Sequence, residues 1–153
     1  MEFKLLIDEY LSGPKRLRTA IQGMSPEQLD AAPIEGRWST RQVICHIADF
    51  EPVYVDRMKR VIAEHEPMMF GGDPDEFAAS LAYAERDLEN ELKLIEIIRV
   101  HMASILRTVP TEEFQRKGVH SQEGPLTLET LLRRITRHIF HHVKFIEEKR
   151  AAL

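Results

Sequence analysis

The chain has 153 residues, 43% hydrophobic and 30% charged, enough to bury a core in one domain spanning 1–153 without covalent staples. The formal charge of −4 gives no basic field, so nucleic acid is not an expected partner. Cys45 is the only cysteine, which excludes an intrachain disulfide; no apolar run is long enough for a signal peptide or a membrane span, and the expected compartment is the cytoplasm.

Glu2 to Leu11 reads as a short amphipathic helix. Ser12-Gly13-Pro14 is expected to break or kink it before helix resumes to about Gln22, because proline suits a first helical turn better than an interior one. Ser25-Pro26-Glu27-Gln28 starts another short helical turn, and Pro33 and Gly36 mark a loop. Ser39-Thr40-Arg41-Gln42 fits a capping box, so a long helix begins at Thr40. Val43, Ile47, Phe50, Tyr54 and Val61 continue it with helical spacing, and Pro52 within it is expected to bend it.

Met68 to Pro74 reads as loop. One uninterrupted helix is expected from about Pro74 to Thr108, since neither proline nor glycine interrupts that stretch before Pro110. Phe114 to Pro125 reads as loop, and Thr127 caps a last helix whose Leu128, Leu131, Leu132, Ile135, Ile139 and Ile146 form one stripe. No segment alternates with period two. The economical architecture is an all-α four-helix bundle.

His138 and His142 are four residues apart, one helical turn, so both ring nitrogens can reach one metal ion. At about 100° per residue both fall within the arc of the apolar stripe, whereas His141 falls outside it and faces solvent or a rim. His46 sits at the edge of the stripe on the Thr40 helix. Spacing alone leaves two roles open for these imidazoles: hydrogen-bonded core residues or metal ligands. It does not bring His46 to the pair.

Gly36-Arg37-Trp38-Ser39 followed by Val43-Ile44-Cys45-His46-Ile47-Ala48-Asp49 resembles the second-helix signature of the DinB/YfiT-like family of metal-dependent enzymes. Gly124-Pro125-Leu126-Thr127-Leu128 leading into His138-Ile139-Phe140-His141-His142 resembles the last helix of that family. The resemblance implies a four-helix bundle with a crossover connection, a common tendency to dimerise, and a divalent metal, zinc or nickel, held by His46, His138 and His142. Family members include thiol-dependent transferases and a mycothiol-dependent isomerase, so it also implies a small-molecule substrate and, as one option, a low-molecular-weight thiol.

Three neutral imidazoles would leave a metal its full charge and an open position. Such a centre turns water or a thiol into a nucleophile at neutral pH, giving a hydrolase or a thiol transferase. Asp49 and Glu51 are weak candidates for a base or for orienting an imidazole, and Arg57 for binding an anionic substrate; a solvated or ion-paired role is the simpler reading of all three. Cys45 is turned away from His46, Trp38 is expected to close the start of the helix, and His65, His101 and His120 are read as surface or structural. The competing reading is a non-catalytic, metal-binding or dimerising bundle.

Overall fold

The computed structural model describes residues 2–153. Four long helices carry the fold: α1 (Lys4–Ile21), α3 (Thr40–Ala63), α5 (Leu88–Leu106) and α6 (Leu128–Ala151). Short α2 (Pro26–Asp30) and α4 (Pro74–Ser80) lie in the connections. None of the described helices is long and apolar enough to cross a membrane.

The helix starts follow their local chemistry. Ser39 Oγ accepts from Gln42 N while Gln42 Oε1 accepts from Ser39 N, a reciprocal box repeated by Ser25 and Gln28. Thr127 caps α6 by accepting from Thr130 N.

α1 packs on α5 and α6, and α3 packs on the same two, so α1 and α3 occupy one diagonal of the bundle. The core falls into two apolar clusters. Along α1 and α6 the chain passes from the cluster of Leu6, Met58 and Leu131 to that of Leu17, Ile44 and Ile139; along α3 and α5 it passes the other way. Helices α3 and α5 are therefore parallel neighbours, and the segment between them must return the length of the bundle. This is the crossover, and it carries α4 along α3.

A polar layer separates the clusters. Arg99 of α5 and Glu51 of α3 are fully buried there. Arg99 donates to Glu51 Oε1 from Nε and Nη2 at 3.0 and 2.5 Å, to Tyr10 O at 2.6 Å and to Ile135 O at 2.7 Å. One side chain thus bonds α1, α3, α5 and α6.

This contact explains why the expected break at Ser12-Gly13-Pro14 does not occur and α1 runs through it. Pro14 has no N–H for the carbonyl four residues back, which is that of Tyr10. Arg99 supplies the missing donor. Gly13 admits it: a Cβ there would stand 2.7 Å from Arg99 Nη1 and 3.2 Å from Ile139 Cδ1.

Two further expectations are corrected. The helix expected over 74–108 is interrupted: α4 ends at Ser80, Ala82 takes a left-handed φ of 54°, a 3-10 turn spans Tyr83–Glu85, and α5 begins afresh at Leu88. Asp87, accepting from Asn90 N, is the start signal that the absence of glycine and proline concealed. The expected loop over 114–125 instead contains the end of a 3-10 turn (Thr111–Gln115) and a hairpin of β2 (Lys117–His120) and β3 (Gly124–Thr127). β1 (Met68–Met69) joins β2 in parallel, giving the order β1-β2-β3. Strands of two and four residues are too short to show alternation. Pro52 lies inside α3 without ending it.

Removing one partner of the buried pair, as in Glu51→Gln or Arg99→Met, is expected to cost about 3–5 kcal/mol in urea unfolding. Gly13→Ala should destabilise by about 1–3 kcal/mol, since the clash with a guanidinium held on three helices outweighs the gain in helix propensity. A stabilised Gly13→Ala protein would contradict this account of the layer.

Candidate metal centre

His46 sits on the second turn of α3, and His138 and His142 sit on the neighbouring α6. The three side chains converge through Nε2. His46 Nε2 is 2.9 Å and His142 Nε2 3.1 Å from His138 Nε2. One ligand atom from each lies within 4.8 Å of the others, and the group contains no carboxylate or thiol. The rings meet edge to face, with centroids 4.7 to 4.9 Å apart.

Burial sets their charge. It is the largest cause lowering His46 to about 4, His138 to about 2 and His142 to about 3. Neighbouring imidazoles push His138 and His142 down further, Arg99 adds to the effect on His138, and Asp49 opposes it at His46. All three are neutral at pH 7, the state that binds a metal.

Three neutral imidazoles, two of them with Nε2 about 3 Å from the Nε2 of the third, are poorly satisfied alone. His46 Nδ1 and His138 Nδ1 are also buried without a partner among the described residues. A tetrahedral zinc with Zn–N of about 2.0–2.1 Å would space its nitrogens by about 3.3 Å. The observed separations are within a few tenths of an ångström of that, and an all-imidazole set suits several first-row divalent ions. The residues fit the group.

The walls are aromatic. The Trp38 ring stands 5.2 Å from His46, Phe50 stands 4.9 Å from His46, and Phe77 of α4 stands 4.9 Å from Phe50. Trp38, the residue before the Ser39 cap, thus contacts the centre. Spacing gave no sign of Phe77, because it arrives on the crossover. His138 and His142 remain partly accessible, and exposed His141 lies 5.2 Å from His142.

The carboxylates are committed elsewhere. Glu51 is bound by Arg99, and Asp49 Oδ1 pairs with Arg86 at 2.8 Å, which also pairs with Glu91. Neither is a free base at the three imidazoles. Arg57 donates to Phe70 O at 2.5 Å and lies over Tyr54, so it braces the crossover. Cys45 points to Tyr83 O at 3.7 Å, and burial pushes its thiol up to about 11. His65 and His101 are exposed, while buried His120 accepts from Gln122 N and Glu123 N in the hairpin turn. Arg133 and Arg134 form surface pairs with Glu129 and Glu123.

Residues 9–146 match the model of the DinB superfamily. The chain belongs to that superfamily. It is 28% identical over 136 residues to "Putative metal-dependent hydrolase YfiT" of Bacillus subtilis, covering 88% of this chain and 76% of that protein. A relative of the same description from Geobacillus thermodenitrificans is 31% identical, covering 84% of this chain and 73% of its own. The solved structure of the Bacillus subtilis protein, described as having an unusual four-helix bundle topology, superposes with a TM-score of 0.89 at 27% identity, over 95% of this chain and 83% of that one. A mycothiol-dependent maleylpyruvate isomerase superposes with a TM-score of 0.72 at 14% identity, over 94% of this chain and 60% of that one, a likeness of fold.

The lowered histidine pKa values make a prediction for metal-free protein. In the folded state these groups bind protons only well below their ordinary 6.5, so below that pH the unfolded chain holds more protons. Stability should be complete above pH 6.5 and fall between pH 6 and 4, by up to about 1.4 kcal/mol per pH unit for each such group. Chemical unfolding across that range checks it, and His138→Ala should flatten the slope.

Proposed function

We propose that this chain is a metal-dependent enzyme in which His46, His138 and His142 bind one divalent ion, zinc or nickel, and which ionises water or a thiol for attack on a small electrophile. The convergence of three neutral Nε2 atoms carries the reading. The names of the superfamily relatives support metal dependence. A divalent ion there supplies a Lewis acid that lowers the pKa of water, or of a thiol, toward neutrality.

The protein's own residues do the rest. The three imidazoles, kept neutral by burial, contribute no charge and leave the ion its full electrophilic power. Trp38, Phe50 and Phe77 limit solvent around the ligands, while His138 and His142 are only half-buried residues. With Asp49 and Glu51 committed to arginines, no carboxylate of the pocket would take the nucleophile's proton; a bound ion would lower the nucleophile's pKa and the proton would pass to solvent. This favours a good acid such as a thiol, while the relatives' names favour water; the attacking sulfur or oxygen forms the new bond and the electrophile's leaving group departs.

Partial access to the imidazoles favours this reading over a closed structural site, which would be sealed and four-coordinate. A reducing cytoplasm suits thiol chemistry, and a homodimer is part of the proposal, supported by exposed Leu94, Ile97 and Val100 along α5.

Protein purified without a histidine tag should bind one zinc or nickel per chain. His46→Ala, His138→Ala and His142→Ala should each weaken binding by at least about 100-fold, and His141→Ala should leave stoichiometry unchanged. Chelation should abolish, and metal restore, turnover of an activated ester or conjugation of a thiol to chlorodinitrobenzene. Equal, substoichiometric metal in wild type and variants would defeat the assignment.

A further inference from the structure

Two cations lie beside the three-histidine cluster. Lys149 lies on α6 seven residues after His142, hence on the same face two turns on, and is only 3% exposed. Side chains on a helix lean toward its N-terminus, which directs the Lys149 stem back toward His142. Arg37, in the loop before α3, places its guanidinium 4.7 Å from the Phe145 ring centroid. Phe145 lies 4.8 Å from His141, itself 5.2 Å from His142. The next residue, Trp38, stands against His46, so the loop bridges from the centre to the far turn of α6.

Neither cation takes part in any ion pair among the described residues. Other unpaired cations are exposed, Arg57 excepted; of the three buried cations, Arg99 holds Glu51 and Arg57 donates to Phe70 O, whereas Lys149 does neither. Arg18, Arg41, Arg60, Arg86, Arg99, Arg133 and Arg134 all hold carboxylates. Lys149 is not the only cation at the end of α6, since Arg150 also lies in its last turn. The Lys149 stem is buried, and its ammonium, without a carboxylate partner, is partly desolvated. Burial and then nearby Arg37 lower the pKa of Lys149, Glu148 opposes them, and the lysine's charge is felt at His142.

We propose that Lys149 and Arg37 form an anion subsite beside the three-histidine centre, which seats a carboxylate of the small molecule presented to the metal. The proposal rests on the reading of the histidines as ligands and adds a substrate class: a compact molecule with a carboxylate a few bonds from its reacting or metal-binding atom. Arginine offers a planar fork to the carboxylate, and the desolvated lysine a point charge. The aromatic wall of Trp38 covers the apolar stretch between.

Trp38 is the only tryptophan and adjoins Arg37, so its fluorescence reports on the subsite. Succinate titrated into the full-length protein, both metal-free and zinc-loaded, should give a saturable response. Lys149→Met and Arg37→Gln should each weaken binding at least about tenfold, Lys149→Arg should stay near wild type, and zinc stoichiometry should be unchanged in all three. No saturable response in wild type, or wild-type affinity in both charge-removing variants, overturns the subsite. Zinc failing to bind would count against the metal reading alone, because the metal-free titration still decides the subsite. Should Lys149→Met not fold, surface Arg37→Gln decides it.

Discussion

The buried Arg99–Glu51 pair is the constraint on which the rest of this bundle depends. Taking two charges out of water costs several kcal/mol per ion, and their attraction offsets this only when the remaining donors are also satisfied. Here the guanidinium meets Glu51 and the carbonyls of Tyr10 and Ile135, so the cost is offset only when all four long helices are in register. A slip of any helix by one turn would leave a charge or a carbonyl unpaired. The apolar clusters on either side supply most of the burial, but Leu, Ile and Met surfaces tolerate sliding far better than a guanidinium does.

Much of the frame was legible because its signals are local. Capping boxes at Ser25 and Ser39, the Thr127 cap and the stripe of α6 are interactions among residues within a few positions of one another. The failures share the opposite cause. Pro14 looked like a break because the donor that satisfies Tyr10 O comes from a residue far along the chain. The restart of α5 at Asp87 was hidden inside a stretch of good helix formers, and the hairpin strands gain their pairing from each other rather than from any pattern of their own.

The candidate site divides in the same way. His138 and His142 could be paired from sequence because one helix carries both, whereas His46 needed a likeness to other proteins before the structure placed it 2.9 Å from His138. Asp49 and Glu51 stood as weak candidates because sequence does not show that Arg86 and Arg99 claim them. Phe77 was invisible, since it reaches Phe50 only through the return of the chain between two parallel helices.

The frame and the centre are coupled through α6. Ile135, whose carbonyl accepts from Arg99, lies one turn before His138, so the hydrogen bond that sets the height of α6 also sets the height of the central imidazole. The same guanidinium disfavours a proton on His138, adding to the effect of burial. A positive charge below a cation site would ordinarily weaken it. Glu51 cancels most of that field at close range, leaving a nearly neutral pair whose residual bias still acts against protonation. The arrangement thus holds three imidazoles unprotonated and in register before any ion arrives, and the cost of that preparation falls on the fold rather than on binding.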